Sequence, residues 1–488
     1  MLRYRHPVAP GDPRTLTADV CIYGGTSAGI AAAVAARRLG LSVAVAAFGR
    51  HVGGLSASGL GMTDTGATDA IGGLAREFYD RVGGFRFEPR VAERAFEVWI
   101  AAHGIDVHRD QHLLAVRTDG DRIAEIELEG GLRIRAAYFV DASYEGDLLA
   151  RAGATWTAGR EGNEVYGETL NGIQFHDTHQ FRVPVDAAGV EGVSREPAGE
   201  PGTGDRRIQA YCFRLCLTQA ADRRPFPRPS GYDPARYELL RRYIEAGVFE
   251  VFGNNQPMRS GKTDMNSHGA VATDHVGANH GWPDGTYEER ERIFEDHVAY
   301  QQGLLWFLAN DERLPDEVRA EAASWGLPRD EFPDTGGWPH ELYIREARRL
   351  VADEVVTEHH CRGAATVDDP VALASYGMDS HNCRRIVVDG HARNEGNVEV
   401  ATPAPYAVPY RAIVPRTGEC PNLLVPVCLS ASHIAYGSIR MEPVFMALGQ
   451  AAATAAAQAL DRGVAVQDVD HRALRERLLR DGAVLDWS

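Results

Sequence analysis

The chain has 488 residues, of which 44% are hydrophobic, and this is more than one simple domain requires. A typical size of about 150 residues per domain predicts two or three domains, which can be interleaved in sequence. The formal net charge of −17, from 51 Lys and Arg against 68 Asp and Glu, argues against nucleic acid or an anionic membrane surface as a partner.

No secretory signal is predicted at the start of the sequence, because residues 1–18 contain arginines and prolines but no apolar run. The Ala-rich stretch from Met446 to Leu460 is too short to span a bilayer and is predicted to be a buried helix. The seven cysteines form no CxxC pair. An odd number of cysteines without a signal is typical of reduced thiols, so the sequence predicts a cytoplasmic protein with no membrane partner.

The first elements in chain order form a βαβ unit. A short apolar strand is predicted at 18–23, a helix at 28–39 and a second buried strand at 42–47. The unit is complete within about thirty residues, which is the size expected of a right-handed crossover.

The rest of the chain alternates between helical and extended patterns. Helices are predicted at 71–82, 91–103, 237–246, 287–310, 316–325, 342–354 and 443–460. Strands are predicted at 105–108, 113–118, 123–128 and 132–137, as a small meander, and at 138–142, 385–389 and 423–429. Residues 180–230 are rich in Pro, Gly and Arg and are predicted to form an insertion.

The turn between the first strand and the first helix carries the motif Gly24-Gly25-Thr26-Ser27-Ala28-Gly29. The first glycine allows a tight turn, and the last allows the helix and the strand to pack closely. Free backbone N–H groups at the start of the helix can hold a pyrophosphate. Since the flanking strand, helix and second strand are all in place, the motif predicts a dinucleotide site, with a Gly-rich turn of another α/β fold as the alternative.

Two positions depart from the usual dinucleotide-binding pattern. Thr26 stands at the position of the second glycine. The end of the second strand usually carries an acid that binds the adenosine ribose, but this position falls near Ala47, and residues 41–51 contain no acid. A lost ribose contact would cost roughly 1–3 kcal/mol of cofactor affinity, unless Arg50 or His51 contacts the adenosine end instead.

Further blocks of sequence carry a more specific signal. They lie at 24–33, 49–54, 58–66, 139–148, 166–168, 262–266, 336–340, 342–349, 379–382 and 432–443. Together these blocks resemble the family of xanthan-lyase-like FAD-dependent oxidoreductases, and they extend from about residue 19 to residue 460. The resemblance implies FAD as the cofactor and an oxidoreductase fold. The family usually has an acid where Ala47 stands and a glycine where Ala453 stands.

The predicted fold class is α/β, with a Rossmann-type FAD-binding domain that is split in sequence and an inserted α+β substrate or cap domain. Residues 1–175 are predicted to form the N-terminal part of the FAD-binding domain, including the small meander. Residues 176–400 form the cap in this division, and residues 401–488 return to the FAD-binding domain.

The predicted cofactor-binding residues follow the strands and helices of this domain. They are Gly24, Gly25, Thr26, Ser27, Ala28, Gly29, Arg50, Gly53, Gly54, Leu55, Gly59, Asp141, Ala142 and Glu442. Asp141 has an alternative role as the cap of a helix from Tyr144 onward. Glu442 stands just before the helix predicted at 443–460, whose N-terminus can stabilise negative charge on the flavin, and Glu442 can equally form an ion pair with Arg440.

The candidate catalytic residues are His381, His433 and Asp379. A histidine beside the isoalloxazine can accept the hydroxyl proton of a substrate while a hydride passes to N5, because its pKa lies near working pH. Asp379 could orient the ring of His381. The alternative for His381 is a hydrogen-bonded structural role in a turn.

Four residues are candidates for substrate binding, namely His340, Arg345, Asn382 and Arg440. Arg345 and Arg348 would share one face of the helix predicted at 342–354 and would suit an acidic sugar or a carboxylate, although ordinary salt bridges are the alternative. No metal site is predicted, because the histidines are loosely spaced and no HExxH motif is present.

The sequence therefore predicts an FAD-dependent dehydrogenase or oxidase that takes a hydride from an alcohol or amine carbon of a small polar, carbohydrate-like molecule. One alternative is a flavin-dependent lyase or isomerase that acts without net redox. Another is a flavin-binding protein without catalysis. The expected partner is the small-molecule substrate, and a homo-oligomer is compatible with the sequence.

Overall fold

A computed structural model describes residues 2–9, 11 and 13–487. The helices are α1 (Ser27–Arg38), α2 (Gly73–Val82), α3 (Pro89–His103), α4 (Asp147–Arg151), α5 (Asn163–Tyr166), α6 (Glu238–Glu245), α7 (Tyr287–Asn310), α8 (Asp316–Ser324), α9 (Glu358–Cys361), α10 (His433–Ile439), α11 (Glu442–Arg462) and α12 (His471–Arg480). None of the helices in these ranges is long and apolar enough to cross a membrane.

The strands in the same part of the chain are β1 (Arg14–Tyr23), β2 (Val43–Ala46), β3 (Asp106–His108), β4 (Leu113–Asp119), β5 (Arg122–Leu128), β6 (Leu132–Asp141), β7 (Trp156–Thr157), β8 (Leu215–Thr218), β9 (Asn255–Pro257), β10 (Lys262–Met265), β11 (Arg349–Leu350), β12 (Pro370–Ala374), β13 (Met378–Ser380), β14 (Arg384–Val388), β15 (His391–Glu395), β16 (Val398–Val400), β17 (Tyr406–Pro409) and β18 (Leu423–Leu424).

The main sheet has seven strands, in the order β3-β2-β1-β6-β5-β4, with β18 pairing to β6. Strand β1 is parallel to both β2 and β6, and the register aligns Tyr23 with Asp141. The carboxyl ends of these strands therefore meet at one edge, where open α/β sheets bind their ligands. The predicted α/β class with a Rossmann-type unit is confirmed.

The predicted meander differs from the structure in two respects. The segments at 132–137 and 138–142 form the single strand β6, because the pairing with β1 continues without a break from Leu132 to Asp141. The segment at 105–108 was predicted as part of the meander, but β3 pairs in parallel with β2. Only β4, β5 and β6 form the antiparallel part.

The C-terminal segment packs against the N-terminal βαβ unit. Strand β18 extends the sheet in parallel with β6, aligning Leu423 with Phe139. Helix α11 lies against α1 so closely that a Cβ on Gly449 would be 2.3 Å from the carbonyl oxygen of Ala28. The chain therefore returns to its first βαβ unit after residue 401, while the exact division at 175 and 400 stays a prediction.

The helix predicted at 342–354 is wrong. Residues 342–350 of this segment are buried, the segment has no helical turn, and its only regular element is the short strand β11. Its arginines contact carboxylates in different directions: Arg345 pairs with Asp274 and Arg348 with Asp147. The expected face shared by Arg345 and Arg348 does not form, because the segment has no helical turn.

Candidate active site

The turn between β1 and α1 has the geometry that the glycine motif predicts. Thr26 caps α1, since its Oγ1 accepts the N–H of Gly29 at 3.2 Å and donates to the carbonyl of Ala142 at 2.8 Å. The first N–H groups of the helix have no partner within it. The Oγ of Ser27 is buried and has no hydrogen-bond partner among the described residues. Free donors at the start of a helix are the groups that bind a phosphate.

Hydroxyl and amide donors gather around the carboxylate of Glu442 at the same end of α1. Tyr144 donates to it at 2.8 Å and Ser56 at 3.3 Å, and the Tyr144 hydroxyl accepts the N–H of Leu55 at 3.0 Å. Burial raises the pKa of Glu442 to about 7, although the nearby hydroxyls of Ser27, Tyr144 and Ser56 oppose the rise. The predicted ion pair between Glu442 and Arg440 is not formed, because Arg440 binds Asp379.

A cavity of about 100 Å³, which we call the adenosine cavity, lies directly after β2. One wall is formed by Phe48, Gly49, Arg50 and His51. The other walls are formed by residues 2–4 and 6, Tyr144, Phe294, 334–335, 340–342 and Ile344. Ala47 itself is buried and packs against Gly25. Because a dinucleotide places its adenosine at the end of the second strand, this is where the adenosine end would lie.

The two basic residues that could replace the missing acid have protein partners. Arg50 pairs with Asp110 at 3.1 Å. His51 contacts Glu93 at 2.7 Å and Asp334 at 3.0 Å. Burial lowers the pKa of His51, but these two carboxylates raise it to about 9. The ring is therefore an imidazolium at neutral pH.

A second cavity, of about 300 Å³, opens beside His381 and is called the His381 cavity below. Its polar lining consists of His179, Asn254, Asn266, Ser267, Tyr376, Asp379, His381 and Glu399. Within the described residues, no arginine or lysine lines it. The cavity is therefore polar, and its charged groups are acids and histidines.

His381 is oriented by a buried carboxylate. Its Nδ1 lies 2.6 Å from Oδ2 of Asp274, and Arg345 holds the other carboxylate oxygen at 3.0 Å. Although burial raises the pKa of Asp274, the charge of Arg345 and the hydrogen bond from His381 hold it well below its usual range. An ionised Asp274 accepts a hydrogen bond from the Nδ1–H group, so the proton of the neutral imidazole lies on Nδ1 and Nε2 is left as the free acceptor.

Asp379 lies on the other side of the same ring. Its Oδ2 is 3.8 Å from Nε2 of His381 and 2.9 Å from the guanidinium of Arg440. Burial is the largest cause that lowers the pKa of His381, and the Arg345 charge lowers it further. The carboxylates of Asp274 and Asp379 oppose this lowering. His381 is therefore neutral at pH 7, which is the form that can accept a proton.

His433 has a different environment. Its Nδ1 lies 2.8 Å from Glu346, and its Nε2 lies 3.0 Å from Oγ of Ser380. The side chain is buried, and both ring nitrogens have protein partners. These contacts tie α10 to the end of β13, so His433 positions the strand that carries Asp379 and ends directly before His381.

Two segments connect the glycine motif with the His381 cavity. The side chain of Glu442, the first residue of α11, lies beside the N-terminal end of α1. Arg440, two residues earlier in the chain, contacts Asp379. The loop after β2 runs from Ser56, which contacts Glu442, to Asp64, which lies 3.9 Å from Arg214. Burial raises the pKa of Asp64, and Arg214 opposes the rise. The segment from Arg440 to Glu442 therefore reaches from the glycine motif to the His381 cavity.

The remaining predicted residues are distributed as follows. Asp141 accepts N–H groups from Ser143 and Leu149, which fits its alternative role as a cap of α4. His340 lines the adenosine cavity, stacks on His51 and bonds Ser58, so it is not brought together with His381. Asn382 donates to the carbonyl of His179 at 3.4 Å.

Sequence reasoning missed Asp274, Asp64 and Arg214. Asp274 is 107 residues from His381, and no local pattern links the two. Arg214 pairs with the buried Asp264 of β10 and lies with its guanidinium 5.7 Å from the Tyr343 ring. The block at 262–266 contains Asp264, but the resemblance alone gave it no role.

One cluster of carboxylates has the spacing of a metal site, and a lysine fills it. Glu88, Asp330 and Glu331 are the only such group among the described residues. The ammonium of Lys262, the sole lysine of the chain, lies 3.2, 2.9 and 2.7 Å from these three acids. The cluster is therefore an ion-pair network.

Replacing Lys262 with Met should destabilise the protein. The variant leaves the buried Glu88 and Glu331 with Arg90 as their remaining cation, and the loss of the buried ammonium costs about 2–3 kcal/mol of unfolding free energy. Urea unfolding of Lys262→Met and Lys262→Arg measures this, and the arginine variant should retain most of the stability. Equal stability of the methionine variant and the wild type would contradict the ion-pair role.

Comparisons with known proteins identify a family that the chain matches. Residues 19–478 match the family model described as FAD dependent oxidoreductase. No curated protein matches the chain. Among solved structures, the chain is similar to AlpK, with 20% identity over 41% of each chain and a TM-score of 0.25.

Two further solved structures are similar over shorter parts. A thioredoxin reductase of T. acidophilum is 21% identical over 26% of this chain and 34% of its own, with a TM-score of 0.20. An L-proline dehydrogenase from P. horikoshii is 19% identical over 32% of this chain and 26% of its own, also with a TM-score of 0.20. The chain spans less than half the length of each of these three proteins.

Proposed function

Because the chain belongs to the family of FAD dependent oxidoreductases, we propose that it oxidises a small polar molecule at an alcohol or amine carbon, with FAD as the hydride acceptor at N5. Membership of this family supports FAD as the cofactor.

The residues around the glycine motif fit FAD. The N-terminal turn of α1 and the unpartnered Oγ of Ser27 can bind its pyrophosphate. A Cβ on Gly54 would lie 2.2 Å from the Tyr144 hydroxyl, so the glycine keeps the wall of this turn free of a side chain. Residues 48–51 would face the adenosine, and the segment from Arg440 to Glu442 would face the flavin.

The pairing of His381 with Asp274 inside a polar cavity is the observation that carries the proposal. Asp274 holds the proton on Nδ1, so Nε2 is free to accept the hydroxyl or ammonium proton of a substrate. Arg345 keeps Asp274 ionised. Asp379, at 3.8 Å from Nε2, would stabilise the imidazolium that forms.

The lining of the His381 cavity favours a neutral or cationic substrate. Its ionisable groups other than the histidines and Tyr376 are the carboxylates of Asp379 and Glu399. Arg345, which we expected to bind an acidic sugar or a carboxylate, is fully buried behind Asp274. A polyhydroxylated or amine-bearing molecule fits this lining, because hydroxyl and ammonium groups donate to carboxylates.

A lyase or isomerase without net redox is the second candidate. The observation that favours it is the same base, because a neutral histidine can also remove a proton next to a carbonyl. Anaerobic mixing separates the two candidates: oxidation of the substrate bleaches the flavin, whereas elimination or isomerisation leaves it oxidised.

The first test concerns the cofactor. Purified protein should be yellow, and denaturation should release FAD and not FMN or NAD, as identified by chromatography of the released nucleotide. A screen of neutral sugars, polyols and amines under anaerobic conditions should then find a compound that bleaches the bound flavin. A colourless protein that added FAD does not stabilise against heat would overturn the proposal.

A further inference from the structure

The adenosine cavity lacks the acid that normally binds the ribose. The end of β2 offers Ala47, and residues 41–51 contain no Asp or Glu. Arg50 and His51 are each paired with carboxylates of the protein. The hydroxyls of a bound adenosine would therefore need an acceptor from another part of the chain.

Glu341 lies on the opposite wall of the same cavity. Its Oε1 is 3.9 Å from the position that a Cβ on Gly49 would take, two residues beyond Ala47. Its Oε2 is buried and makes no hydrogen bond within the described part of the chain. A carboxylate oxygen without a donor is costly to bury, so this side chain is prepared for a ligand that brings donors.

The surroundings of Glu341 fix its position. The neighbouring His340 bonds Oγ of Ser58 at 2.7 Å and stacks on His51 at 3.8 Å between ring centroids. Burial raises the pKa of Glu341 to about 8, and the acids Glu145 and Glu442 add to the rise while His51 opposes it. Hydroxyl donors from a ligand would favour the ionised carboxylate.

We propose that Glu341 takes the place of the missing strand-end acid and accepts hydrogen bonds from the adenosine ribose of FAD. The ribose carries two adjacent hydroxyls, and a carboxylate has two oxygens to receive them. The inference rests on the proposed binding of FAD across residues 48–51.

The test uses the apo-protein and calorimetric titration with ADP, 2′-deoxy-ADP and 3′-deoxy-ADP. Wild type should bind ADP about tenfold more tightly than at least one deoxy analogue, as expected for one hydrogen bond to a charged group. Glu341→Gln should bind ADP about tenfold more weakly than wild type and should lose this discrimination. Glu317→Gln, at an exposed position of α8, is the matched control and should behave like wild type.

The outcomes separate the inference from its premise. If Glu341→Gln keeps the wild-type preference for ADP over both deoxy analogues, Glu341 does not bind the ribose. If wild type binds all three nucleotides equally, no acid contacts the ribose hydroxyls and the inference also fails. If wild type binds none of them and no FAD, the nucleotide site itself is wrong. The melting temperature of each apo-variant shows that the fold is retained.

Discussion

Gly29→Val is expected to yield protein without flavin. A Cβ at this position would lie 2.0 Å from the carbonyl oxygen of Gly24 and 3.3 Å from Cβ of Ala142. The closest of these atoms is backbone, so the clash is relieved only by moving α1 away from β1, and this removes the turn that holds the pyrophosphate. Overpacking of this kind costs about 3 kcal/mol of stability in addition to the loss of the cofactor.

Flavin absorbance per protein and the melting temperature measure the effect. Gly281→Val is the matched control, because a Cβ there would meet only the Ile293 side chain, at 3.8 Å. We expect the control to keep wild-type flavin content. Full flavin content and an unchanged melting temperature in Gly29→Val would show that the glycine motif is not the dinucleotide site.

His381→Ala is expected to slow flavin reduction by about 10²–10⁴-fold while the FAD spectrum is retained, since this is the usual effect of losing a positioned base. Asp274→Asn should also slow the step, because the amide no longer holds the proton on Nδ1. The measurement is anaerobic stopped-flow reduction with a substrate found by the screen. Wild-type rates in both variants would exclude His381 as the base.

His433→Ala provides the comparison for this experiment. Its ring is bonded on both sides, and its loss leaves Glu346 with one partner fewer in the interior. We therefore expect a lower melting temperature and less than a tenfold change in reduction rate per bound flavin. If His433→Ala shows the large loss of rate and His381→Ala does not, His433 is the base instead of His381.

The pH dependence follows from the same geometry. Burial and the Arg345 charge lower the pKa of His381 from its usual value, so the neutral base persists below pH 6.5. The rate of flavin reduction by wild type should therefore be constant near pH 7 and should fall only as the pH drops through the lowered pKa. An acid limb above pH 7 would contradict a neutral His381.

The sequence was sufficient where the pattern is local. The βαβ unit, helix α7 and helix α11 follow from periodicity and capping, and α7 has the predicted bounds of Tyr287 and Asn310. It was insufficient where burial is complete, as in the segment at 342–354, since a chain enclosed on all sides has no periodic apolar face. Because no helix forms there, the predicted face shared by Arg345 and Arg348 does not exist.

The candidate site was predictable only in part. His381 and Asp379 were found because they stand together in one polar cluster. Their partners Asp274 and Arg345 come from distant parts of the chain, and only the fold brings them within 3 Å of each other. In the same way, the sequence shows that an acid is missing at Ala47, but only the tertiary structure shows that Glu341 lies across the cavity.

The enclosure of Lys262 by three acids has a consequence for the chemistry of the surface. Lys262 is the one lysine of the chain and is buried, and every other permanently charged basic side chain is an arginine. The folded protein therefore presents no exposed lysine amine to acylating or glycating reagents. Contact with Glu331 and Asp330 also raises the pKa of Lys262, despite the lowering by burial, which keeps it protonated and unreactive. Acylation at this position would therefore require opening of the loop that carries Asp330 and Glu331, and its rate would report how often that loop opens.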